Sequence, residues 1–214
     1  MERSFRARND GLKAIAERIH AMRVISGKFR GRRLKGPEGL ELRPTGDRLK
    51  ESLFNILGPR LAGVVVIDAF GGTGSIGIEA LSRGARETVF IESSEFGVRL
   101  IRKNLELCGV AGGFRILQQD VFAAMRALAR KGFKADIVFF DPPYDFQPYR
   151  DLLEIVFGKD LLSQPSRVVI EHHRKASLPD SGSGYRRSRV VRQGDHCLSF
   201  YEEFRIQNPE FGSC

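Results

Sequence analysis

Four consecutive residues, Asp141-Pro142-Pro143-Tyr144, have the chemistry to hold a planar amino group. Asp141 supplies a carboxylate acceptor. Each proline lacks an N–H and fixes its own φ, so the turn is stiff and its carbonyl groups have set directions. The Tyr144 ring offers a flat surface on which a base can stack. Because Asp-Pro turns are common, the tetrapeptide alone is compatible with a plain turn as well as with an active site.

The position of the tetrapeptide favours a site. Residues 135–140 form a mostly apolar run that predicts a buried strand ending just before Asp141. A residue that precedes a proline is directed toward an extended backbone, which suits the end of a strand. Open α/β sheets bind their ligands at the carboxyl ends of their strands, and we expect the tetrapeptide to lie there.

A glycine-rich segment forms a second candidate site. It runs from Asp68 to Gly77 after an apolar stretch, and Gly72 to Gly77 have the spacing Gly-x-Gly-x-x-Gly. Glycines let the backbone turn tightly and approach a ligand. Glu92 follows Gly72 by about 20 residues, at the end of the next predicted strand, where a carboxylate can bind ribose hydroxyls. The predicted cofactor-binding residues are Asp68, Phe70, Gly71, Gly72, Thr73, Gly74, Glu92, Ser93, Asp120, Val121 and Asp141.

Two cofactors fit this loop, NAD and S-adenosylmethionine. Asp68, at the end of a strand, suits an ammonium group better than a pyrophosphate. Asp120 follows the third predicted strand, where its carboxylate can bind an adenine amino group, cap the next helix, or do both. The two carboxylates favour S-adenosylmethionine.

Strands and helices alternate along most of the chain, which predicts an α/β fold with a mostly parallel sheet. We predict strands at 64–68, 88–92, 114–117, 136–140 and 168–171, helices at 47–57, 75–83, 96–108, 121–130 and 149–157, and a closing antiparallel hairpin of 189–192 and 197–204. The sheet therefore has seven predicted strands. Residues 181–184 are expected to form a loop, and a small hairpin is expected near the N-terminus, around Gly27 and Gly31.

The 214-residue chain has a formal charge of +9. This excess of cations favours a polyanionic partner such as nucleic acid, although general solubility also explains it. Lys28, Arg30 and Arg32 alternate and would share one face of a strand, where they can contact nucleic acid or protect a sheet edge from aggregation.

Other features exclude several classes of protein. No stretch is long and apolar enough to span a membrane, and the N-terminus lacks the apolar region of a secretory signal. Cys108, Cys197 and Cys214 are widely spaced and odd in number, which argues against disulfides or a zinc site and for a reducing cytoplasm. His172 and His173 would point to opposite faces of a strand, so we expect no metal there.

Several segments together resemble the RsmD-type family of methyltransferases. They are residues 22–32, the segment Arg43-Pro44-Thr45-Gly46-Asp47-Arg48, residues 53–57, the loop 68–77 with 79–83, and residues 141–144. The Arg-Pro-Thr-x-x-Arg segment is the most specific of them, because the Asp-Pro-Pro-Tyr tetrapeptide also occurs in DNA adenine methyltransferases. Residues 1–21 precede the position at which family members usually begin.

The resemblance implies a Rossmann-like class I fold and transfer of a methyl group from S-adenosylmethionine to the exocyclic N2 amino group of a guanine in 16S ribosomal RNA, with S-adenosylhomocysteine as product. Asp141 and the Pro142 carbonyl would accept the amino hydrogens while Tyr144 stacks on the base, so these three are the predicted catalytic residues. The implied RNA contacts are Lys28, Arg30, Arg32, Arg33, Arg43, Thr45 and Arg48. The expected partner is 16S rRNA or an assembling small subunit, bound by a cytoplasmic monomer.

The predicted boundaries are an N-terminal extension at 1–21, a basic hairpin at 22–42, a methyltransferase domain at 43–205 and a tail at 206–214. Three other functions remain open: methylation of adenine N6 in DNA, oxidation or reduction with NAD, and binding of RNA by a methyltransferase fold without activity. A labelled methyl donor separates these possibilities.

Overall fold

The computed structural model describes residues 22–37, 44–158 and 161–204. The predicted extension at 1–21, Arg43, the Thr45 side chain and the tail at 206–214 lie outside this part of the chain. The elements follow in the order α1 (Pro44–Leu57), a 3-10 helix (Gly58–Leu61), β1 (Val65–Ala69), α2 (Ser75–Ser82), β2 (Glu87–Glu92), α3 (Glu95–Cys108), β3 (Phe114–Gln118), α4 (Val121–Arg130), β4 (Ala135–Phe140), α5 (Tyr149–Gly158), β5 (Leu162–His173), β6 (Ser181–Gly182), β7 (Tyr185–Gln193) and β8 (His196–Glu203).

One mixed sheet runs through the fold in the order β3-β2-β1-β4-β5-β8-β7-β6. The first five strands are parallel, and β8, β7 and β6 continue the sheet antiparallel. The predicted α/β class and the C-terminal hairpin are confirmed. The sheet has eight strands where we expected seven, because Ser181 and Gly182, expected in a loop, pair with Arg186 and Tyr185.

The strand order places both candidate sites at one point of the sheet. β1 lies between β2 and β4, so the chain leaves β1 toward one side of the sheet and returns through β4 to the other. In open α/β sheets this switch point opens a crevice at the carboxyl ends of the two strands. The glycine loop follows β1 and the tetrapeptide follows β4, so they meet at that crevice.

Helices cover both faces of the parallel strands. On one face, Met125 of α4 and Leu152 of α5 pack in the same buried cluster as Val138 of β4. On the other face, Phe54 of α1 packs in a cluster with Phe139, the next residue of β4. Consecutive residues of a strand face opposite ways, so a fully buried β4 supplies apolar groups to both layers.

Residues 22–37, here called the N-terminal segment, form a turn-rich loop, and the predicted strand face of Lys28, Arg30 and Arg32 is wrong. Arg23 and Arg33 form one isolated antiparallel bridge. The residues between them turn back on themselves through Gly27 and Gly31, whose φ angles are +82° and +80°.

Helix α2 causes this conformation. Backbone N–H groups of Lys28 and Phe29 donate to the carbonyl and the hydroxyl of Ser82, at 2.7 and 2.9 Å. The backbone bonds that a strand would need are therefore used by the helix. Val24, Phe29 and Leu34 pack on α2 and α3, and the basic side chains of the segment are exposed.

Close packing of α2 on β2 yields a test of the fold. A Cβ at Gly77 would lie 2.2 Å from the Phe90 ring. We expect Gly77→Ala to lower the free energy of unfolding by about 1–3 kcal/mol, because the ring has to shift in a filled core. Gly112 has no atom within 4 Å of such a Cβ, so Gly112→Ala should change stability by about 0.5 kcal/mol or less. Urea denaturation measures both, and equal midpoints for the two variants would contradict this packing.

Candidate cofactor and amino-binding site

The loop between β1 and α2 has an unusual backbone. Phe70 has a φ of +59°, the one positive value at a non-glycine position in the described chain. Gly72 and Gly74 follow with φ of +51° and +73°. The Gly71 N–H donates to the Ile91 carbonyl of β2 at 3.0 Å, which holds the loop over the sheet edge. Strained backbone of this kind persists only where surrounding structure holds it, and it concentrates at ligand sites.

Asp68 is the last residue but one of β1 and lies beneath this loop. Its side chain is buried, and one carboxylate oxygen accepts the Gly77 N–H of α2 at 2.8 Å. Burial, with a smaller contribution from the negative charge of Glu92, raises the pKa of Asp68 to about 7, although the bond from Gly77 opposes the shift. The folded protein therefore holds a carboxyl group that ionises reluctantly at neutral pH.

Glu92 ends β2 and joins the loop to the start of α3. Its two oxygens accept the N–H groups of Gly72 and Ser94, both at 2.8 Å. A carboxylate has about four lone-pair positions, so both oxygens can still accept ribose hydroxyls. Ser93, also predicted to bind the cofactor, is exposed beside Glu92.

Gly97 is a site residue that the sequence analysis missed. A Cβ there would lie 2.7 Å from the Glu92 side chain. Gly97 is buried in the first turn of α3, where its N–H donates to the Ser94 hydroxyl cap at 3.4 Å. A glycine inside a helix is unfavourable and was the available signal. Its absence of a side chain makes room for the Glu92 carboxylate.

Asp120 caps α4 and accepts the Ala123 N–H at 3.0 Å, so the capping interpretation is confirmed. The residue remains exposed, and Val121 is buried behind it. Asp120 and Phe122 line an open cavity of about 620 Å³ between α4 and α5. The Phe122 ring stacks on Phe146 with centroids 6.4 Å apart. A carboxylate beside flat apolar rings is a fitting environment for a purine.

Asp141 lies beside the glycine loop. Its N–H reaches toward the Ala69 carbonyl of β1 at 3.4 Å. Asp141 is exposed at the crevice, while the protein atoms near its carboxyl group partly desolvate it. This desolvation, followed by the negative charges of Glu171 and Asp68, raises the pKa of Asp141 well above its ordinary value of 3.8. Pro142 is buried, so the start of the turn is fixed in the fold.

Tyr144 projects from the tetrapeptide and is 76% exposed. One side of its ring contacts His173 of β5, with centroids 4.9 Å apart, and its hydroxyl lies 3.4 Å from Nδ1 of that histidine. The rest of the ring is open to a partner. His172 faces away and meets the Ser199 hydroxyl at 2.9 Å. The described residues contain no group of three or more side chains that could hold a metal ion.

The structure thus brings the predicted cofactor and catalytic residues to one edge of the sheet. Those predicted RNA contacts that the structure describes are exposed, in the N-terminal segment and, for Arg48, on α1. Within the described ranges no helix has the length and hydropathy to cross a membrane.

Asp68 gives the folded protein a pH dependence that can be measured. The folded-state pKa of about 7 lies above the ordinary 3.8, so protonated Asp68 stabilises the fold below pH 4 and this contribution is lost as pH rises through 7. We expect the free energy of unfolding to fall over this range by an amount on the order of a few kcal/mol. Asp68→Asn keeps an acceptor for Gly77 and should flatten the curve in urea titrations. Exposed Asp145→Asn is the control, and identical curves for wild type and Asp68→Asn would contradict the assignment.

Known proteins are similar to this chain in sequence and in fold. A family described as Conserved hypothetical protein 95 matches residues 22–202. Ribosomal RNA small subunit methyltransferase D of Escherichia coli strain K12 is 32% identical over 181 residues, which are 85% of this chain and 89% of that protein. The Haemophilus influenzae protein of the same name is 33% identical over 159 residues, 73% of this chain and 81% of that protein.

Solved structures agree with the sequence relatives. The E. coli protein yhhF has a TM-score of 0.74 at 28% identity, covering 86% of this chain and 99% of its own. A hypothetical protein of Thermus thermophilus has a TM-score of 0.70 at 27% identity, covering 83% of this chain and 97% of its own. With both the family match and the structural likeness extending over most of the chain, this protein belongs to the RsmD family of methyltransferases.

Proposed function

We propose that this protein transfers a methyl group from S-adenosylmethionine to the N2 amino group of a guanine in small-subunit ribosomal RNA. The observation that carries the proposal is the placement of Asp141-Pro142-Pro143-Tyr144 beside the glycine loop at the switch point of the sheet. An acceptor for a planar amino group thereby adjoins a loop suited to a nucleoside cofactor.

The residues of the crevice fit S-adenosylmethionine. The positive φ angles of Gly72 and Gly74 open the loop backbone to a ligand. Burial and, to a smaller extent, neighbouring carboxylates raise the pKa of Asp68 and of Asp141, and a bound ammonium or sulfonium group would favour their ionised forms. Glu92 would hold the ribose and Asp120 the adenine amino group.

The chain's own groups prepare the amino nitrogen for attack. S-adenosylmethionine supplies a methyl group on positively charged sulfur. A guanine amino group is a poor nucleophile because its lone pair is delocalised into the ring. Asp141 and the Pro142 carbonyl each accept a hydrogen bond from the amino group. These two bonds localise electron density on the nitrogen and direct its lone pair toward the methyl group. The nitrogen would take the methyl group that bound S-adenosylmethionine supplies, with S-adenosylhomocysteine as the leaving product, and would release one proton to water.

Tyr144 would hold the base during this step. Its ring is exposed on the side away from His173, so a base that leaves its stacked neighbours can lie on it. Such extrusion costs a few kcal/mol in a duplex and less in a loop, and stacking on an aromatic ring offsets about 1–3 kcal/mol of it.

The choice of RNA rests on charge and on the relatives. The chain carries a formal charge of +9, and the N-terminal segment exposes Lys28, Arg30, Arg32 and Arg33. Cations of this kind bind phosphates and release counterions. The curated relatives are named for the small-subunit rRNA that they methylate. We further propose that the protein acts in the cytoplasm, as a monomer, on 16S rRNA or on an assembling small subunit.

Methyl transfer from a labelled donor tests the function. The protein is incubated with methyl-labelled S-adenosylmethionine and, separately, with small subunits lacking the modification, naked small-subunit rRNA and duplex DNA. We expect label in rRNA, and digestion to nucleosides should yield N2-methylguanosine. Label in DNA alone, as N6-methyladenine, would show that the alternative target is correct. If none of the three substrates is labelled, the proposed activity is wrong.

Substitution of Asp141 should reduce the rate of methyl transfer much more than it reduces the affinity for the cofactor. We expect Asp141→Asn to lower kcat by about 10²- to 10³-fold, because one acceptor of the amino hydrogens is replaced by a group that can also donate. Binding of S-adenosylhomocysteine, measured by calorimetry, should largely survive. Asp145→Asn, an exposed carboxylate in the same loop, is the matched control and should keep wild-type kcat. A normal kcat in Asp141→Asn would exclude the acceptor role.

A further inference from the structure

A single buried amide joins the cofactor loop to the N-terminal segment. Asn104 lies in α3, fully buried. Its Nδ2 donates to the Thr73 carbonyl of the glycine loop at 2.8 Å and to the Lys35 carbonyl at 2.9 Å, while its Oδ1 accepts the Lys35 N–H at 2.7 Å. The side chain therefore uses both of its donor hydrogens and one acceptor position, and divides them between two separate parts of the chain.

The other end of the N-terminal segment is tied to the same loop. The Thr73 hydroxyl donates to Sδ of Met22 at 3.4 Å. The Lys50 ammonium donates to the Arg23 carbonyl at 2.7 Å and to the Ser75 hydroxyl at 3.0 Å. Thr73 and Ser75 belong to the loop and to the start of α2. Both ends of the segment are therefore linked to the proposed cofactor site, the Met22 end directly and the Lys35 end through Asn104.

Between its ends the segment is fixed to α2. The fully buried Glu79 carboxylate accepts the N–H groups of Ile25 and Ser26 at 2.7 and 2.9 Å, and also pairs with Arg83 at 2.9 Å. The segment therefore forms a stiff brace with basic side chains on its outer side and the loop contacts on its inner side. Because the segment is stiff, binding of a ligand to its basic outer side can restrict the motion of the glycine loop on its inner side.

We propose that Asn104 is a positioning residue that couples RNA binding on the N-terminal segment to S-adenosylmethionine binding on the glycine loop. This inference rests on the proposed function for the two ligands. The strained Phe70 backbone requires outside support, and Asn104 supplies it at Thr73. RNA that immobilises the segment also immobilises Lys35 and, through the amide, the loop.

Such coupling is reciprocal in equilibrium binding. RNA should tighten cofactor binding by the same factor by which the cofactor tightens RNA binding. Loss of a residue that only supports the core has a different effect, because it lowers stability but leaves unchanged the ratio of the cofactor affinity with RNA to the cofactor affinity without RNA. This ratio therefore distinguishes a positioning residue from a residue of general structural importance.

The test measures the affinity of labelled S-adenosylhomocysteine by equilibrium dialysis, with and without saturating naked small-subunit rRNA. We expect rRNA to tighten binding to the wild type by about fivefold or more. In Asn104→Ala the affinity without RNA should fall about tenfold, and the effect of rRNA should shrink to a factor near one. The matched control is Asn55→Ala, which removes an exposed amide from α1 and should behave as wild type.

A milder variant keeps the test decisive if Asn104→Ala folds poorly. Met22→Leu removes the Sδ acceptor for the Thr73 hydroxyl at nearly constant volume, and it should lower the rRNA effect by about twofold or more. A wild-type protein that binds rRNA but whose cofactor affinity does not respond would overturn the inference, as would an unchanged ratio in both variants. Methyl transfer by the wild type to rRNA is scored separately, so the failure of the coupling and the failure of the proposed function give different results.

Discussion

Carboxylates cluster where four adjacent strands end, and the site depends on their burial there. These residues are Glu92, Asp68, Asp141 and Glu171. Burial is the largest cause of the raised pKa values of Asp68 and Asp141, and the neighbouring negative charges add to it. Backbone N–H groups offset only part of the charge. A positively charged ligand would therefore neutralise negative charge that the folded chain leaves uncompensated at this site.

The surrounding elements keep these carboxylates in place despite their repulsion. Gly77 allows α2 to approach β2 and bond to Asp68, and Gly97 makes room for Glu92. Asn104 and the N-terminal segment support the loop above them. Because methyl transfer removes the positive charge from sulfur, the attraction that retains the donor should weaken for the product, and the same electrostatics would favour release.

Sequence reasoning succeeded where the signal was local. The glycine spacing, the tetrapeptide and the alternating elements predicted the α/β sheet and the edge at which the site residues meet. It failed in the N-terminal segment, where the alternation of basic residues suggested a strand, because Ser82 and Glu79 are more than 50 positions away and take the backbone bonds. Asn104 was missed because its partners Thr73 and Lys35 lie 31 and 69 positions away in the sequence. Gly97 was missed although a glycine inside a helix is unfavourable.

Proton release on binding tests most directly whether the carboxyl ends of these strands receive a cationic methyl donor. With a pKa of about 7, Asp68 is partly protonated in the free protein at pH 7. Calorimetric titration of S-adenosylmethionine in two buffers of different ionisation enthalpy should show net proton release, and Asp68→Asn should reduce it. Binding of the cofactor with no proton release at pH 7, in wild type and variant alike, would contradict the account.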